Sequence, residues 1–125
     1  MFDKLDIILN KKYKTYYYKK DGIEYGKLLS NGKYVFLDYY ISDLEICVEY
    51  YGNVWHGNPK IYKADDIPFS FKGDKKTAQE IWNDDKERIE LLKKDFNIDT
   101  IVIWETNGIS IQDILTKIKE LENDK

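Results

Sequence analysis

The chain has 125 residues, of which 42% are hydrophobic and 34% are charged, and its net charge is −3 at neutral pH. This length suits one domain with a modest core, and its short apolar runs predict neither a transmembrane span nor a secretory leader. The negative charge argues against strong non-specific binding to nucleic acid. The single cysteine, Cys47, excludes an internal disulfide and a cysteine-based zinc site, and it favours a reducing cytosol.

The charge is unevenly distributed along the sequence. Residues 1–33 contain eight lysines and four acidic residues, a formal charge of +4, so the remainder carries −7. A basic segment beside an acidic body suits a protein that meets phosphate with one face and holds a metal with another. A solvated lysine-rich surface explains the same distribution equally well.

The N-terminal residues predict a short helix, a strand and a turn. FDKLDIILN (2–10) is a candidate helix, YKTYYYK (13–19) is typical of a strand, and KKDG (19–22) is typical of a turn.

A β-hairpin is predicted in the middle of the chain. KYVFLDYYI (33–41) follows the turn signal Ser30-Asn31-Gly32, and EICVEYY (45–51) is a second strong strand. Because the link near Asp43-Leu44 is very short, the two strands should pair in antiparallel fashion.

The second half of the sequence predicts a loop, a helix, a strand and a final helix. Residues 57–76 form a long loop, a feature that is often functional. Thr77 and Glu80 form a capping box that opens a helix to about Lys94. Residues 99–105 predict a strand and 110–123 an amphipathic helix. Together these elements predict a mixed α/β domain whose sheet is covered by helices.

The predicted hairpin places two carboxylates opposite each other. If it closes around residues 43–44, Ile41 faces Ile46 and Asp38 faces Glu49. Facing like charges destabilise a sheet, so this pair needs a cation or a raised pKa on one member. Mg²⁺ binds through one or two carboxylates with waters and substrate phosphate. The alternative is an exposed outer face with lysine neighbours.

A third carboxylate falls within the apolar stripe of the predicted long helix. Asp85 lies near the middle of that stripe, whereas Asp84 lies about 100° away on a more polar flank. A carboxylate there is costly unless it is paired or bound. A buried salt bridge or a cap of a backbone amide is the usual explanation, although Arg88 is the only arginine. The stripe consists of Ala78, Ile81, Trp82, Ile89, Leu92 and Phe96.

His56 is the only histidine, and it follows the Glu49 strand after a glycine turn. A lone histidine is more often a structural hydrogen-bonding residue than a catalyst. Beside two or three carboxylates, however, an imidazole suits general acid–base work because its pKa lies near neutrality.

These residues as an ordered set resemble one nuclease family. The set comprises Asp38, Glu49, the turn GNVWH (52–56), Asp85 and the strand IVIWE (101–105). It resembles the very-short-patch-repair endonuclease branch of the PD-(D/E)xK restriction-endonuclease-like nucleases. It is still more similar to the phage homing endonucleases with a Glu-Asp-x-His-Asp motif. The resemblance covers about residues 34–105 and implies a restriction-endonuclease-like mixed sheet with a central antiparallel hairpin, flanked by helices.

The resemblance implies roles for four residues. Asp38 matches the central metal-binding aspartate, and His56 matches the histidine that does acid–base work near the scissile phosphate. Asp85 matches the helix aspartate that closes the motif, and it would orient His56 or a water. Glu49 lies where the wider superfamily keeps its second acid, so we expect it to bind Mg²⁺ together with Asp38, with Mn²⁺ as a substitute.

The sequence departs from the family pattern at several positions. The repair branch has a cysteine- and histidine-rich zinc site near this turn, but here those positions are Asn53, Asn58 and Lys60, so we predict no structural zinc. Tyr51 stands where the repair branch has a second histidine, which weakens the case for mismatch repair. The superfamily's lysine is replaced by Tyr50 and Tyr51 after the strand glutamate, and the histidine must cover its role.

The first acid of the motif normally comes from an upstream helix. No glutamate lies in residues 1–23, so Glu24 is the nearest weak candidate, and Asp3 or Asp6 could substitute.

The resemblance also implies a double-stranded DNA partner. Trp55 matches an aromatic residue that wedges into the base stack in the repair enzymes, although packing within the loop explains it at least as well. Loop lysines and those of residues 11–20 would contact the DNA backbone. The loop candidates are Lys60, Lys63, Lys72, Lys75 and Lys76.

The leading hypothesis is therefore a single-domain, metal-dependent DNA endonuclease, comprising a basic segment 1–33, a core 34–105 and a C-terminal helix at about 110–123. We expect it in the cytoplasm of a bacterium or a phage-infected cell, without membrane contact. The acidic total predicts weak DNA affinity unless the protein dimerises or carries a DNA-binding module. The alternatives are a nickase for mismatched or branched DNA, and a non-catalytic DNA-binding module that kept the fold.

Overall fold

The computed structural model describes residues 1–18, 22, 25–69, 75–106 and 110–125. Within these residues the chain forms three helices and six strands. The helices are α1 (Phe2–Leu9), α2 (Ala78–Phe96) and α3 (Ile111–Asn123). The strands are β1 (Thr15–Tyr16), β2 (Tyr25–Leu28), β3 (Tyr34–Leu37), β4 (Tyr39–Ile41), β5 (Ile46–Tyr51) and β6 (Asp99–Trp104).

The main sheet has the strand order β1-β4-β5-β6. Its centre is the antiparallel β4–β5 hairpin, while β6 pairs in parallel with β5 after the crossover through α2. A second, two-stranded antiparallel sheet is formed by β2 and β3. The protein is therefore a mixed α/β fold with a mixed sheet and an antiparallel hairpin, as the sequence predicts.

The register of the central hairpin agrees with the sequence prediction. Tyr39 pairs with Val48 and Ile41 with Ile46, and continuing this register places Asp38 beside Glu49. Glu45 has a positive φ of 53° in the connecting turn, so β5 begins one residue later than predicted.

The predicted continuous strand over residues 33–41 is wrong in one respect, because it is interrupted at Asp38. The part before Asp38 pairs with β2, and the part after it pairs with β5. Asp38 leaves the ladder because its N–H group donates to the Glu49 side chain instead of to a neighbouring strand. The predicted strand at 13–19 is likewise limited to Thr15–Tyr16 in the described residues. The predicted turn at 19–22 lies outside them except for Gly22.

The two faces of the sheet have separate cores. On one face, Tyr39, Ile46 and Val48 pack with side chains from α1 and α3. On the other, Tyr40 and Cys47 pack with Leu92 of α2. Because side chains alternate along a strand, Glu49 and Tyr51 share the α2 face with Cys47. None of the helices in the described part of the chain is long and apolar enough to cross a membrane.

The predicted capping box begins α2. The Thr77 hydroxyl accepts from the Glu80 N–H at 3.2 Å, and the Glu80 carboxylate accepts from the Thr77 N–H at 3.2 Å. The helix ends at Phe96, two residues later than predicted, because Asn97 adopts the left-handed conformation at φ 57°. This long helix carries Asp85 and Arg88 across the sheet.

Candidate functional site

Asp38 and Glu49 form one local unit where β3 gives way to β4 beside β5. Glu49 is only 2% exposed, and its Oε2 accepts from the Asp38 N–H at 3.0 Å. The Asp38 side chain is exposed, and its Oδ2 accepts from the Tyr50 N–H at 2.9 Å. The buried glutamate thus fixes the backbone that presents the exposed aspartate to solvent.

Arg88 provides the cation that the facing carboxylates require. Its Nη2 lies 2.5 Å from Glu49 Oε1 and also donates to the Phe36 carbonyl at 2.6 Å. Burial raises the pKa of Glu49 to about 8, nearby Asp38 raises it too, and the Arg88 guanidinium opposes the rise. The sequence predicts that the facing carboxylates need either a cation or a raised pKa on one of them. The structure has both, the Arg88 guanidinium and the raised pKa of Glu49.

Both oxygens of Glu49 are therefore engaged, one by Arg88 and the other by the Asp38 N–H. This arrangement suits a residue that positions Asp38, whereas its role as a direct metal ligand remains a prediction. From the sequence, Arg88 is a candidate partner of Asp85. A buried glutamate opposite the helix that carries the only arginine is the signal that points to the observed pairing.

Asp85 instead contacts His56. The His56 Nδ1 lies 2.9 Å from Asp85 Oδ2, with the side chains 28% and 21% exposed. This contact explains how a carboxylate is accommodated within the apolar stripe of α2. If Nδ1 carries the proton that bonds Asp85, Nε2 is left with a lone pair.

The backbone after β5 holds His56 in place. The His56 N–H donates to the Gly52 carbonyl at 3.1 Å, and the ring stacks on Tyr51 with centroids 3.8 Å apart and planes 4° apart. Gly57 follows with φ +55°, and a Cβ atom there would lie 3.3 Å from Pro68 Cγ. Glycine therefore lets the loop pass close to its neighbours directly after the histidine.

The two groups of residues lie side by side on one face of the sheet. Glu49 and Tyr51 are two positions apart on β5, about 7 Å by strand geometry. Asp85 and Arg88 are three positions apart on α2, so they share a helix face. The sheet and the helix thus align the Glu49–Arg88 pair with the His56–Asp85 pair, whereas the Asp38 side chain lines a cleft with Asp3 of α1.

A cleft of about 620 Å³ opens beside Asp38. Asp3 of α1 lines the same cleft, as do the aromatic residues Phe36 and Tyr50. Across the described ranges, no group of three or more His, Cys, Asp or Glu residues is arranged to hold a metal ion. The carboxylates that face this cleft are Asp38 and Asp3.

The structure separates the candidates for the first acid of the motif. Glu24 lies outside the described residues. Asp6 is 5% exposed, and its carboxylate accepts from Thr15 and Tyr39 in the core. Of the two candidates that the structure describes, Asp3 lines a cleft with Asp38, and its Oδ1 accepts from the Tyr17 hydroxyl at 3.0 Å.

The residues that were expected to contact DNA lie mostly at the surface. Trp55 is 51% exposed, with its ring centroid 5.3 Å from that of Phe69. Lys60, Lys63 and Lys75 are exposed. The Nζ atom of Lys76 lies 2.8 Å from Asp84 Oδ2, with which it forms an ion pair. Lys72 lies outside the described residues.

Asn58 and Asn53 occupy the turn where the repair branch has its zinc ligands. Asn58 is 1% exposed, and its Nδ2 donates to Asn53 Oδ1 and to Thr106 Oγ1, both at 3.0 Å. Side-chain amides therefore link the turn to the end of β6. The absence of structural zinc remains a prediction.

No protein-family model matches this chain, and no curated protein or solved structure does either.

Proposed function

We propose that this protein is a metal-dependent DNA endonuclease that hydrolyses phosphodiester bonds, with a restriction-endonuclease-like fold. The main support is the His56–Asp85 contact at 2.9 Å, on the same face of the sheet as Glu49, whose side chain accepts from the Asp38 N–H. The oriented imidazole can act as a general acid–base, and the carboxylates can bind the metal ion, in phosphodiester hydrolysis.

Asp38 and Asp3 fit the needs of a Mg²⁺ or Mn²⁺ ion. Both line one open cleft, and Asp38 is exposed with one carboxylate oxygen held by a backbone N–H. One or two carboxylates suffice for Mg²⁺, because water and substrate phosphate complete its coordination. When bound there, the ion would polarise a phosphoryl oxygen and lower the pKa of water.

His56 is the proposed general acid–base. Asp85 fixes the ring through Nδ1, and the parallel ring of Tyr51 supports one of its faces. Nε2 is then available to accept a proton from the attacking water or to donate one to the leaving oxygen.

Glu49 and Arg88 are proposed to position Asp38. The guanidinium stabilises the buried glutamate, and the glutamate accepts from the Asp38 backbone. This network holds the exposed carboxylate in one orientation, which is the requirement for a preorganised metal ligand.

Double-stranded DNA is the proposed substrate, with Lys60, Lys63 and Lys75 at its phosphates and Trp55 near its bases. The net charge of −3 predicts that one copy of the protein binds DNA weakly. We therefore expect a homodimer or an attached DNA-binding module to supply the affinity.

A non-catalytic DNA-binding module is the second candidate. The engagement of both Glu49 oxygens favours it, because the superfamily's second acid is then not free to bind metal. A repair nickase would use the same chemistry as the endonuclease and differ only in its target DNA.

Nicking of supercoiled plasmid with Mg²⁺ or Mn²⁺ separates these possibilities. We expect wild-type protein to nick, Asp38→Ala and His56→Ala to be inactive, and Asp113→Asn, at an exposed site on α3, to be active. Equal background in all four proteins, with no calorimetric binding of Mn²⁺ to the wild type, would refute the endonuclease.

A further inference from the structure

A second cleft, of about 490 Å³, lies between α2 and β6. Its walls include Tyr51, Trp82, Val102 and Trp104, so they are mainly aromatic and apolar. Asp85 lines it as well, with the charged residues Lys86 and Glu90 on the α2 side. Its volume falls in the range of small-molecule sites, which combine apolar walls with a few polar groups.

Two features of the Trp82 and Trp104 rings suit stacking by a planar ligand. The Trp82 Nε1 donates to the Gly57 carbonyl at 2.6 Å, which fixes the orientation of that indole. Trp104 meets Tyr51 edge to face, with centroids 5.2 Å apart and planes 87° apart. Both indoles are only partly buried, and a flat heterocycle gains stabilisation by stacking on such rings.

The hydroxyl of Tyr51 is the second observation that points to a ligand. Tyr51 is 6% exposed, and its hydroxyl has no hydrogen-bond partner in the described part of the chain. Buried polar groups in folded proteins are almost always paired. Burial, together with nearby Asp85, raises the pKa of Tyr51, so the hydroxyl remains a proton donor in neutral solution.

Asp85 supplies the complementary acceptor. Its Oδ2 contacts His56, while Oδ1 has no hydrogen bond to any residue that the structure describes. The cleft therefore offers aromatic faces and one carboxylate acceptor, and one of its lining residues, Tyr51, carries an unsatisfied donor that is buried in the free protein. A heteroaromatic ring that carries both a lone pair and an N–H group matches this set, and nucleobases have that pattern.

We infer that the cleft between α2 and β6 binds a nucleobase, which stacks on Trp82 or Trp104 and, after a side-chain shift that uncovers the buried hydroxyl, accepts a hydrogen bond from Tyr51. The base can come from a free nucleotide or from a nucleotide turned out of a DNA duplex. The case in which the base comes from DNA rests on the proposed nuclease function. In that case the substrate of the nuclease is DNA with an unstacked base near the cut.

Tryptophan fluorescence tests this inference directly. In a Trp55→Phe background, emission comes from Trp82 and Trp104, and AMP, CMP, GMP and TMP are titrated separately. We expect saturable quenching by at least one nucleotide, and about tenfold weaker binding after Tyr51→Phe. Tyr34→Phe, at an exposed position on β3, is the matched control and should bind as the parent does.

A duplex with a single 2-aminopurine beside a mismatched base, mixed with protein in EDTA, separates the two sources, because this reporter brightens when its neighbour leaves the stack. A rise in 2-aminopurine emission that Tyr51→Phe reduces indicates a base turned out of DNA, whereas quenching by mononucleotides alone indicates a free nucleotide. No response in either arm, or responses that Tyr51→Phe leaves unchanged, would overturn the inference. Nicking by wild-type protein is measured separately, so the endonuclease proposal can survive this failure.

The melting temperature of Tyr51→Phe excludes a purely structural explanation. Removing an unpaired buried hydroxyl should leave the free protein as stable as its parent or more so. Weaker nucleotide binding by a variant of unchanged stability therefore assigns the loss to the missing hydrogen bond.

Discussion

The Nδ1 atom of His56 lies 2.9 Å from Oδ2 of Asp85, so the only histidine of the chain is paired with a carboxylate from the apolar stripe of α2. We expect His56→Ala to lower nicking by about 10²–10⁴-fold, because a general acid–base is lost. Asp85→Asn should lower it by about 10–100-fold, because the ring loses its anchor.

Asp84→Asn is the matched control for this pair. Asp84 is the adjacent carboxylate on α2, but it is exposed and paired with Lys76. Gel quantification of nicked plasmid should show near wild-type activity for it. The proposed pairing fails if Asp84→Asn costs as much activity as Asp85→Asn.

Asp38 and Asp3 should determine the affinity for metal. Calorimetric titration with Mn²⁺ should show binding to wild type that is lost in Asp38→Asn and weakened in Asp3→Asn, because both carboxylates line the cleft. The control variant Asp113→Asn should bind Mn²⁺ with the same affinity as the wild-type protein. Unchanged Mn²⁺ affinity in Asp38→Asn would place the ion elsewhere.

Arg88 should contribute strongly to stability. At pH 9, Arg88→Met leaves Glu49 buried without its cation, so the carboxyl must stay charged in the core or take up a proton, and we expect the free energy of unfolding to fall by roughly 2–4 kcal/mol. The control Lys86→Met removes an exposed cation 3.9 Å from Glu90 and should change stability by less than about 0.5 kcal/mol. Urea denaturation measures both values, and similar losses would contradict this role for Arg88.

Glu49 should make the protein less stable as pH rises. Its folded-state pKa is raised to about 8 from an ordinary value of 4.5, so between these values the folded state holds a proton that the unfolded state has released. The unfolding free energy then falls with increasing pH, by at most about 1.4 kcal/mol per pH unit.

Urea denaturation from pH 5 to pH 9 tests this dependence. Glu49→Gln removes the titrating group, so its stability should decline less than that of wild type over the same range. Parallel curves for the two proteins would show that other groups cause the decline.

The loop lysines should set the salt dependence of DNA binding. The double change Lys60→Ala and Lys63→Ala should lower the slope of log K against log salt by about 2, because each lysine releases about one counterion. Lys117→Ala with Lys119→Ala, on α3, is the control of equal charge. Fluorescence anisotropy with labelled duplex measures both slopes, and an equal change in the two would remove the loop from the interface.

Local sequence patterns were enough to predict most of the helices and strands and the central hairpin. The short link near residues 43–44 fixed the register that places Asp38 beside Glu49, and the capping box of Thr77 fixed the start of α2. Helical periodicity placed Asp85 in an apolar stripe. These features depend on neighbouring residues, so turn length, capping and periodicity suffice to predict them.

The pairing of charged and polar side chains depends on how distant segments pack together. His56 meets Asp85 across 29 positions of the sequence, and Arg88 meets Glu49 across 39, because α2 packs against the sheet. The same packing brings Asp3 to the cleft of Asp38 and leaves the Tyr51 hydroxyl unpaired. Such contacts join distant segments through helix and sheet packing, which no local pattern in the sequence specifies.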